Sequence, residues 1–401
     1  MLGGSRDGIF LFLENRSNEE QRMKVQVPLV DLKSQYETIK NEINRATEEV
    51  LSSGFYILGC NVRSLEDEVA RYCGVKCAVG VASGTDALVL ALKTLGIGKE
   101  DEVITTPFTF FATAEAITQV GAKPVFVDIE EESFNIDPTK IKGKVTEKTK
   151  AIIPVHLYGQ PASMRPIMEV ARRHNLSVVE DAAQAFGAEY NFSQSTKKVG
   201  SIGELGCLSF YPTKNLGACG DGGMILTNHE KIAERLRLLR VHGAKALYLH
   251  SLVGYNSRLD ELQAAALRVK LKHVDGWIEM RRERASLYDE LLSSLKGLVS
   301  VPSQIPYARH TFCIYTIRVP QRDKLKDYLT RRGIGTRVYY PLSLHLQEVY
   351  AHLGYKRGDF PVSEKSSEEV ISLPMYPELE EEQIELVARE IEKFYCHKKH
   401  L

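Results

Sequence analysis

At 401 residues the chain is too long for one hydrophobic core and fits a large domain joined to a smaller one. It is 43% hydrophobic and 26% charged, with 52 basic and 52 acidic side chains, so no net field draws nucleic acid or an anionic membrane, and a phosphate-bearing ligand needs a local site. Seven irregularly spaced cysteines argue against a disulfide framework and for the cytoplasm; Cys73 and Cys77 lack the second Cys/His pair of a zinc site and read as packing residues, so no metal is expected.

The apolar run Ile9–Leu13 is too short for a membrane span or a secretory signal. Residues 1–22 read as a dispensable extension, with Met23 as a possible start, and 1–27 as a segment outside the folded domains. From about residue 75 to 240, short β-branched runs alternate with helical patterns. Val79–Val81 leads into a helix over Thr85–Leu95, and Val103-Ile104 into one near Ala112–Gln119. Further strands are expected at Pro124–Asp128, Ala151–His156, Ser177–Glu180, Cys207–Tyr211 and Gly223–Leu226. Strands spaced by helices of 10–15 residues indicate βαβ units and a mainly parallel sheet covered on both faces, with ligands beyond the carboxyl ends of the strands. This places a large domain at 28–270. Beyond it a charged helix (His273–Leu295), a strand (Thr311–Val319), a helix (Arg322–Arg332), a β-like run (Gly335–Tyr340) and a helix after Glu380 make a smaller C-terminal α/β domain, 271–401.

Four segments carry chemistry, and each also has an ordinary structural explanation. Ala82-Ser83-Gly84-Thr85-Asp86-Ala87-Leu88 follows a strand and opens a helix. A helix N-terminus offers free N–H groups to a phosphate, Gly84 lets the backbone approach and Thr85 adds a hydroxyl; the ordinary alternative is that Ser83 or Thr85 simply caps the helix. In Val179-Glu180-Asp181-Ala182-Ala183-Gln184 a strand ends in Asp181, whose carboxylate needs a cationic partner such as a pyridinium nitrogen, or else serves as a cap or a structural ion pair. In Ser209-Phe210-Tyr211-Pro212-Thr213-Lys214-Asn215-Leu216-Gly217 a lysine follows a strand and precedes a glycine-rich turn. Near a ring cation its pKa can fall, which frees a neutral amine for Schiff-base chemistry, and Ser209 offers a hydroxyl to a phosphate; taken alone, Lys214 is one more surface charge. The glycines after it lack the spacing of a dinucleotide loop. The fourth segment, Gly254-Tyr255-Asn256-Ser257-Arg258-Leu259-Asp260, opens an Ala-rich helix and read alone is a cap with a surface ion pair.

In order, Ser-Gly-Thr-Asp-Ala-Leu, Thr-Phe-x-Ala-Thr, Glu-Asp-Ala-Ala-Gln, Ser-Phe-x-x-x-Lys-Asn-Leu-Gly and Gly-x-Asn-Ser-Arg-Leu-Asp resemble the DegT/DnrJ/EryC1/StrS family of sugar aminotransferases, from about Pro28 to the C-terminus. The resemblance implies a fold-type I PLP-transferase, its large domain built on a mainly parallel, mixed sheet of seven strands. It implies a homodimer with a shared active site, PLP/PMP as cofactor, a nucleotide-linked keto-sugar as acceptor and glutamate as amino donor. It assigns Lys214 as the Schiff-base lysine and Asp181 as the pyridinium partner. Gln184 is assigned to the ring oxygen, Gly84, Thr85 and Ser209 to the phosphate, Phe110 to the ring face, and Asn256 to the phosphate of the neighbouring subunit. Dehydratase relatives carry histidine in place of the lysine, so Lys214 points to transamination. The segments Val27–Lys33 and Gly54–Gly59 look most like the subgroup acting at a C3 ketone, with a 4-keto sugar or a non-catalytic PLP-binding regulator as alternatives; the dTDP or UDP carrier is left open. His242, Tyr248, His250, Tyr339 and His345 are expected as sugar or diphosphate contacts.

Overall fold

The computed structural model describes residues 26–303 and 305–396, so the proposed extension, apart from Gln26 and Val27, lies outside the described residues. Seven strands form the main sheet: β1 (Cys77–Val81), β2 (Glu102–Thr105), β3 (Lys123–Phe126), β4 (Thr149–Ile152), β5 (Ser177–Asp181), β6 (Leu205–Ser209) and β7 (Gly223–Thr227). Their order across the sheet is β1-β7-β6-β5-β4-β2-β3, and β7 runs against its two neighbours while the rest share one direction. The sheet is thus mixed, seven-stranded and mainly parallel.

Period-two alternation sends each strand's residues into two cores. Val79, Val103, Ala151, Val179, Cys207 and Ile225 pack on one face with the helices Gly84–Thr94, Phe111–Gln119 and Glu230–Leu239. Ala78, Leu208, Met224 and Leu226 pack on the other with the helices Cys60–Cys73 and Glu261–Leu271, and Ile104, Ile152 and Val178 pack with Met164–His174. Cys73 is part of that second core. The helix Gly84–Thr94 is buried along Ala87–Leu92, which explains its unbroken apolar sequence.

The C-terminal unit holds the antiparallel pair β8 (Tyr315–Arg318) and β9 (Val370–Leu373). They pack against the helices Val274–Leu291, Arg322–Arg331 and Glu381–Cys396. Val27 joins this core, and the Gly335 N–H donates to its carbonyl at 2.8 Å. The helix Val274–Leu291 belongs to both units: Val274 and Ile278 face the large core, Ala285 and Tyr288 the small one. A division at 270/271 therefore falls just before a helix the two cores share.

The β-like run over Gly335–Tyr340 is not a strand. Only Arg337 bridges to Ser372; beyond it the Tyr339 carbonyl accepts from the Tyr158 hydroxyl and the Tyr340 hydroxyl from Gln184, so this backbone is held by side chains from the large unit, not by a ladder. A small sheet of Glu189–Phe192, Ser195–Lys198 and Ala308–Arg309, and the helix Leu32–Ser53, were not expected from the sequence. Among the described residues no helix is long and apolar enough to cross a membrane.

Candidate active site

A cleft of about 920 Å³ opens at the carboxyl ends of β1, β5 and β6, between the large unit and the C-terminal unit. Gly84, Thr85, Phe110, Asp181, Gln184, Ser209, Lys214 and Tyr339, all named from the sequence, line it together.

At the end of β1 the Ser83 side chain caps the following helix, its oxygen accepting from the Asp86 N–H at 3.1 Å. The capping explanation therefore holds for Ser83. Gly84 and Thr85 stand at the first turn beside the end of β6. A Cβ on Gly84 would lie 2.7 Å from Ser209 Cβ and 3.1 Å from its Oγ, and one on Gly223 would lie 2.3 Å from the Ser83 carbonyl oxygen. Only glycine lets this helix start and these two strand ends meet so closely. The outcome is a recess of main-chain N–H groups with the Ser209 and Thr85 hydroxyls beside it, the chemistry a phosphate monoester requires.

Alternation along β5 sends its last two acids to opposite faces. Glu180 is fully buried and takes four donors: the His156 Nε2–H at 2.9 Å and the Gly200 N–H at 2.8 Å on Oε2, and the Ile202 and Gly203 N–H groups at 2.7 Å each on Oε1. His156 Nδ1 accepts from the Ala162 N–H at 3.0 Å, which puts the proton on Nε2. Glu180 thus pins the turn before β6.

Asp181 faces the cleft. Its Oδ2 accepts from the Thr113 hydroxyl at 2.7 Å and its Oδ1 from the Ala183 N–H at 3.2 Å. Burial raises its pKa above the ordinary carboxylate value, while the Thr113 and Ala183 hydrogen bonds and the charge of Lys214 pull it back. No cation of the described residues forms an ion pair with it, so a buried carboxylate facing the cleft is held by two neutral donors alone.

Gln184 is oriented by its neighbours. The Tyr158 N–H donates to Oε1 at 2.8 Å, which fixes the carbonyl end, and Nε2 donates to the Tyr340 hydroxyl at 2.9 Å. Burial raises the Tyr340 pKa strongly, keeping that hydroxyl protonated. The second Nε2 hydrogen stays available to the cleft. Lys214 follows β6 through a turn closed by its own N–H donating to the Tyr211 carbonyl at 2.9 Å. Its amine makes no hydrogen bond or ion pair with the described residues. Phe110, 56% exposed, caps the cleft edge with its ring 6.1 Å from that of Tyr340.

The remaining expected contacts lie elsewhere. His345 is buried, bonded through Nε2 to Glu364 Oε1 at 3.1 Å with its ring 4.7 Å from that of Phe360, so it does not reach the cleft. Its neighbours explain the misplacement: packing by Phe360 and Tyr355 turns a loop histidine into a core one. His242, Tyr248, His250 and Asn256 do not line this chain's own cleft; Tyr248 and His250 sit on an exposed hairpin (Ala244–Ala246 with Leu249–His250), His242 just before it and Asn256 in the loop that follows it. Thr113, Tyr158, Tyr340 and Arg337 escaped the sequence reading. Thr113 closes the Thr-Phe-x-Ala-Thr motif and Tyr340 adjoins Tyr339, so both had a signal; Tyr158 and Arg337 had none.

The cleft accounts for the comparisons with known proteins. Residues 37–392 match the DegT/DnrJ/EryC1/StrS aminotransferase family. The chain is 54% identical over 372 residues to the pleiotropic regulatory protein of Geobacillus stearothermophilus, covering 92% of this chain and 99% of the relative. It is 46% identical over 371 residues to the UDP-N-acetyl-3-dehydro-alpha-D-glucosamine 3-aminotransferase of Acidithiobacillus ferrooxidans, covering 92% and 97%. The crystal structure of S. venezuelae DesV in complex with a ketimine intermediate superposes with a TM-score of 0.89 at 42% identity, covering 92% of this chain and 98% of that one. Solved structures of the same fold hold PMP, the amine form of the cofactor. With a cleft whose residues suit that cofactor, the chain belongs to the DegT/DnrJ/EryC1/StrS family and is a PLP-dependent aminotransferase of fold-type I.

Proposed function

We propose that this aminotransferase puts an amino group on a nucleotide-linked 3-keto hexose, with glutamate as donor, in a cytoplasmic homodimer whose two active sites are each completed by the partner. The observation that carries the reading is the convergence of an unpaired lysine amine, an unpaired buried carboxylate and a glycine-lined phosphate recess in one cleft. The choice of a C3 ketone leans on the Acidithiobacillus relative, whose name places its amine there.

Bound PLP supplies an electron sink through which an amino group is passed from donor to acceptor. The protein's part is to place groups around it. Asp181 would pair with the ring nitrogen, Gln184 Nε2–H would donate to the ring oxygen, and Gly84, Thr85 and Ser209 would hold the phosphate. Phe110 would cover the ring face. Lys214 Nζ would hold the cofactor through its amine and, when free, would serve as the base that moves a proton between the reacting carbons. Tyr339 faces the substrate.

The shared site rests on the exposed surface. Leu247, Tyr248, Leu249 and Val253 on and after the hairpin are 65–93% exposed, and Phe55, Tyr56 and Ile57 stand out nearby, where Ile57 bridges to Asp260. A run of large apolar side chains on that scale suits burial against a second copy. That copy would then receive Asn256 at its phosphate and His242, Tyr248 and His250 at its substrate.

Purified protein should show a visible absorption band that L-glutamate bleaches with release of 2-oxoglutarate, and Lys214→Ala should abolish both. Turnover of donor by Lys214→Ala at the native rate would end the assignment. Incubating the glutamate-treated enzyme with dTDP- and UDP-linked 3-keto and 4-keto hexoses, with product analysis by NMR, reads the aminated carbon; a 4-amino product alone would overturn the C3 choice. Mixed dimers of Lys214→Ala and Asn256→Ala should regain part of the activity, and none regained despite proven subunit exchange would refute the shared site. A regulatory protein that only binds PLP has the name of the Geobacillus relative in its favour, but the intact Lys214, Asp181 and Gln184 arrangement has no purpose there.

A further inference from the structure

Among the described residues, two cations line the cleft, Lys214 and Arg337, and two carboxylates, Asp181 and Asp221. The cofactor engages Lys214 and Asp181 in the reading above. Arg337 has no such duty. It stands on the wall contributed by the C-terminal unit, where its N–H donates to the Ser372 carbonyl at 3.2 Å and its own carbonyl accepts from the Ser372 N–H at 2.7 Å. The backbone is therefore clamped to β9 while the side chain stays exposed in the cleft.

Several other arginines among the described residues behave differently. Arg240 pairs with Glu66, Arg268 with Glu68, and Arg318 with both Glu131 and Glu369. The Arg337 guanidinium forms no ion pair with a described carboxylate; its polar neighbour is the Tyr339 hydroxyl, whose burial-raised pKa it partly offsets. A neutral phenol orients a guanidinium without cancelling its charge. Around it Leu29, Val338, Leu373 and Met375 offer no charge to a ligand.

A planar fork of N–H donors, clamped at the backbone, unpaired and framed by apolar side chains, matches a carboxylate or a phosphate in bidentate fashion. Both substrates of the proposed reaction bring such a group into this cleft in turn: the donor through a carboxylate, the acceptor through its diphosphate. We propose that Arg337 is the anchor for the substrate oxyanion, a binding residue on which specificity depends. The inference rests on the aminotransferase reading.

The test uses Arg337→Gln and Arg337→Lys in the cofactor-loaded enzyme. One arm titrates the visible band with L-glutamate; the other measures calorimetric binding of UDP and dTDP. Arg337→Gln should weaken at least one ligand by about tenfold or more, with KM rising and kcat moving far less, because a desolvated charge pair has lost one partner. Arg337→Lys should recover part of the loss, since it keeps the charge without the fork. Weakened glutamate assigns the carboxylate and weakened nucleotide the diphosphate. Unchanged affinity for all three probes overturns the proposal. The wild-type band and its response to glutamate check the underlying reading separately.

Discussion

The Thr113 hydroxyl donates to Asp181 Oδ2 at 2.7 Å, and Thr109 Oγ1 lies 3.1 Å behind it, so a two-hydroxyl chain from the Phe111–Gln119 helix and its lead-in loop ends on the carboxylate at the tip of β5. The pair is 68 residues apart in sequence and buried. The hydroxyl both aims the carboxylate and favours its ionised form.

Replacing Thr113 with the near-isosteric valine removes that donor and leaves the shape. Asp181, already raised by burial, should then titrate higher still, so the acid limb of the rate profile moves to higher pH and kcat/KM falls at neutrality. Stability should drop by about 1.5–3 kcal/mol, the range for a hydrogen bond to a charged group. Thr109→Ala, one step removed, should do less. A pH–rate profile and urea melts of the three proteins check the order.

Glu180 and Asp181 are neighbours that should fail in opposite ways. Glu180→Gln turns an amide against backbone donors that need an acceptor, and should cost about 3 kcal/mol or more while the surviving folded enzyme keeps its KM. Asp181→Asn should keep the fold and lose the activity. Melting and kinetics on both variants read the contrast; a stable Glu180→Gln would show that the four donors do not need the charge.

At Gly84 an added methyl meets Ser209 Cβ at 2.7 Å and its backbone Cα at 3.2 Å, neither of which can swing aside. Gly84→Ala should cost about 1–3 kcal/mol by overpacking and weaken cofactor retention. Adding Ser209→Gly should return part of the stability but not the retention, because a phosphate donor is gone. Dialysis against buffer followed by absorbance measures the second effect.

His310 supplies a pH dependence independent of catalysis. Burial, and then the Arg282 charge, depress its pKa to about 3; Nδ1 accepts from the Phe312 N–H at 2.8 Å, and the ring stacks on Phe312. A depressed folded value means that the unfolded chain takes up the proton first. Stability is therefore present above the unfolded value of 6.5 and drains as pH falls towards about 3. Between pH 7 and pH 5 this one group should remove about 2 kcal/mol. His310→Asn, whose Oδ1 can replace Nδ1 as acceptor, should lack that component. Urea midpoints of the two proteins at both pH values isolate it.

The sequence alone determined where the sheet would place chemistry. Short apolar runs mark β5 and β6, so Asp181 had to fall at the carboxyl end of a strand, with Lys214 beyond the next; Ser209, expected inside a strand over Cys207–Tyr211, closes that strand only in the structure, at Leu205–Ser209. Tertiary structure decided what surrounds them. The Gln184–Tyr340 bond spans 156 residues, Arg337 enters the cleft only because Ser372 clamps it, and His345 leaves because Phe360 and Glu364 enclose it. Those choices depend on how two cores dock across one helix, and contacts between distant segments are selected by packing and by buried hydrogen bonds that no short stretch of sequence encodes.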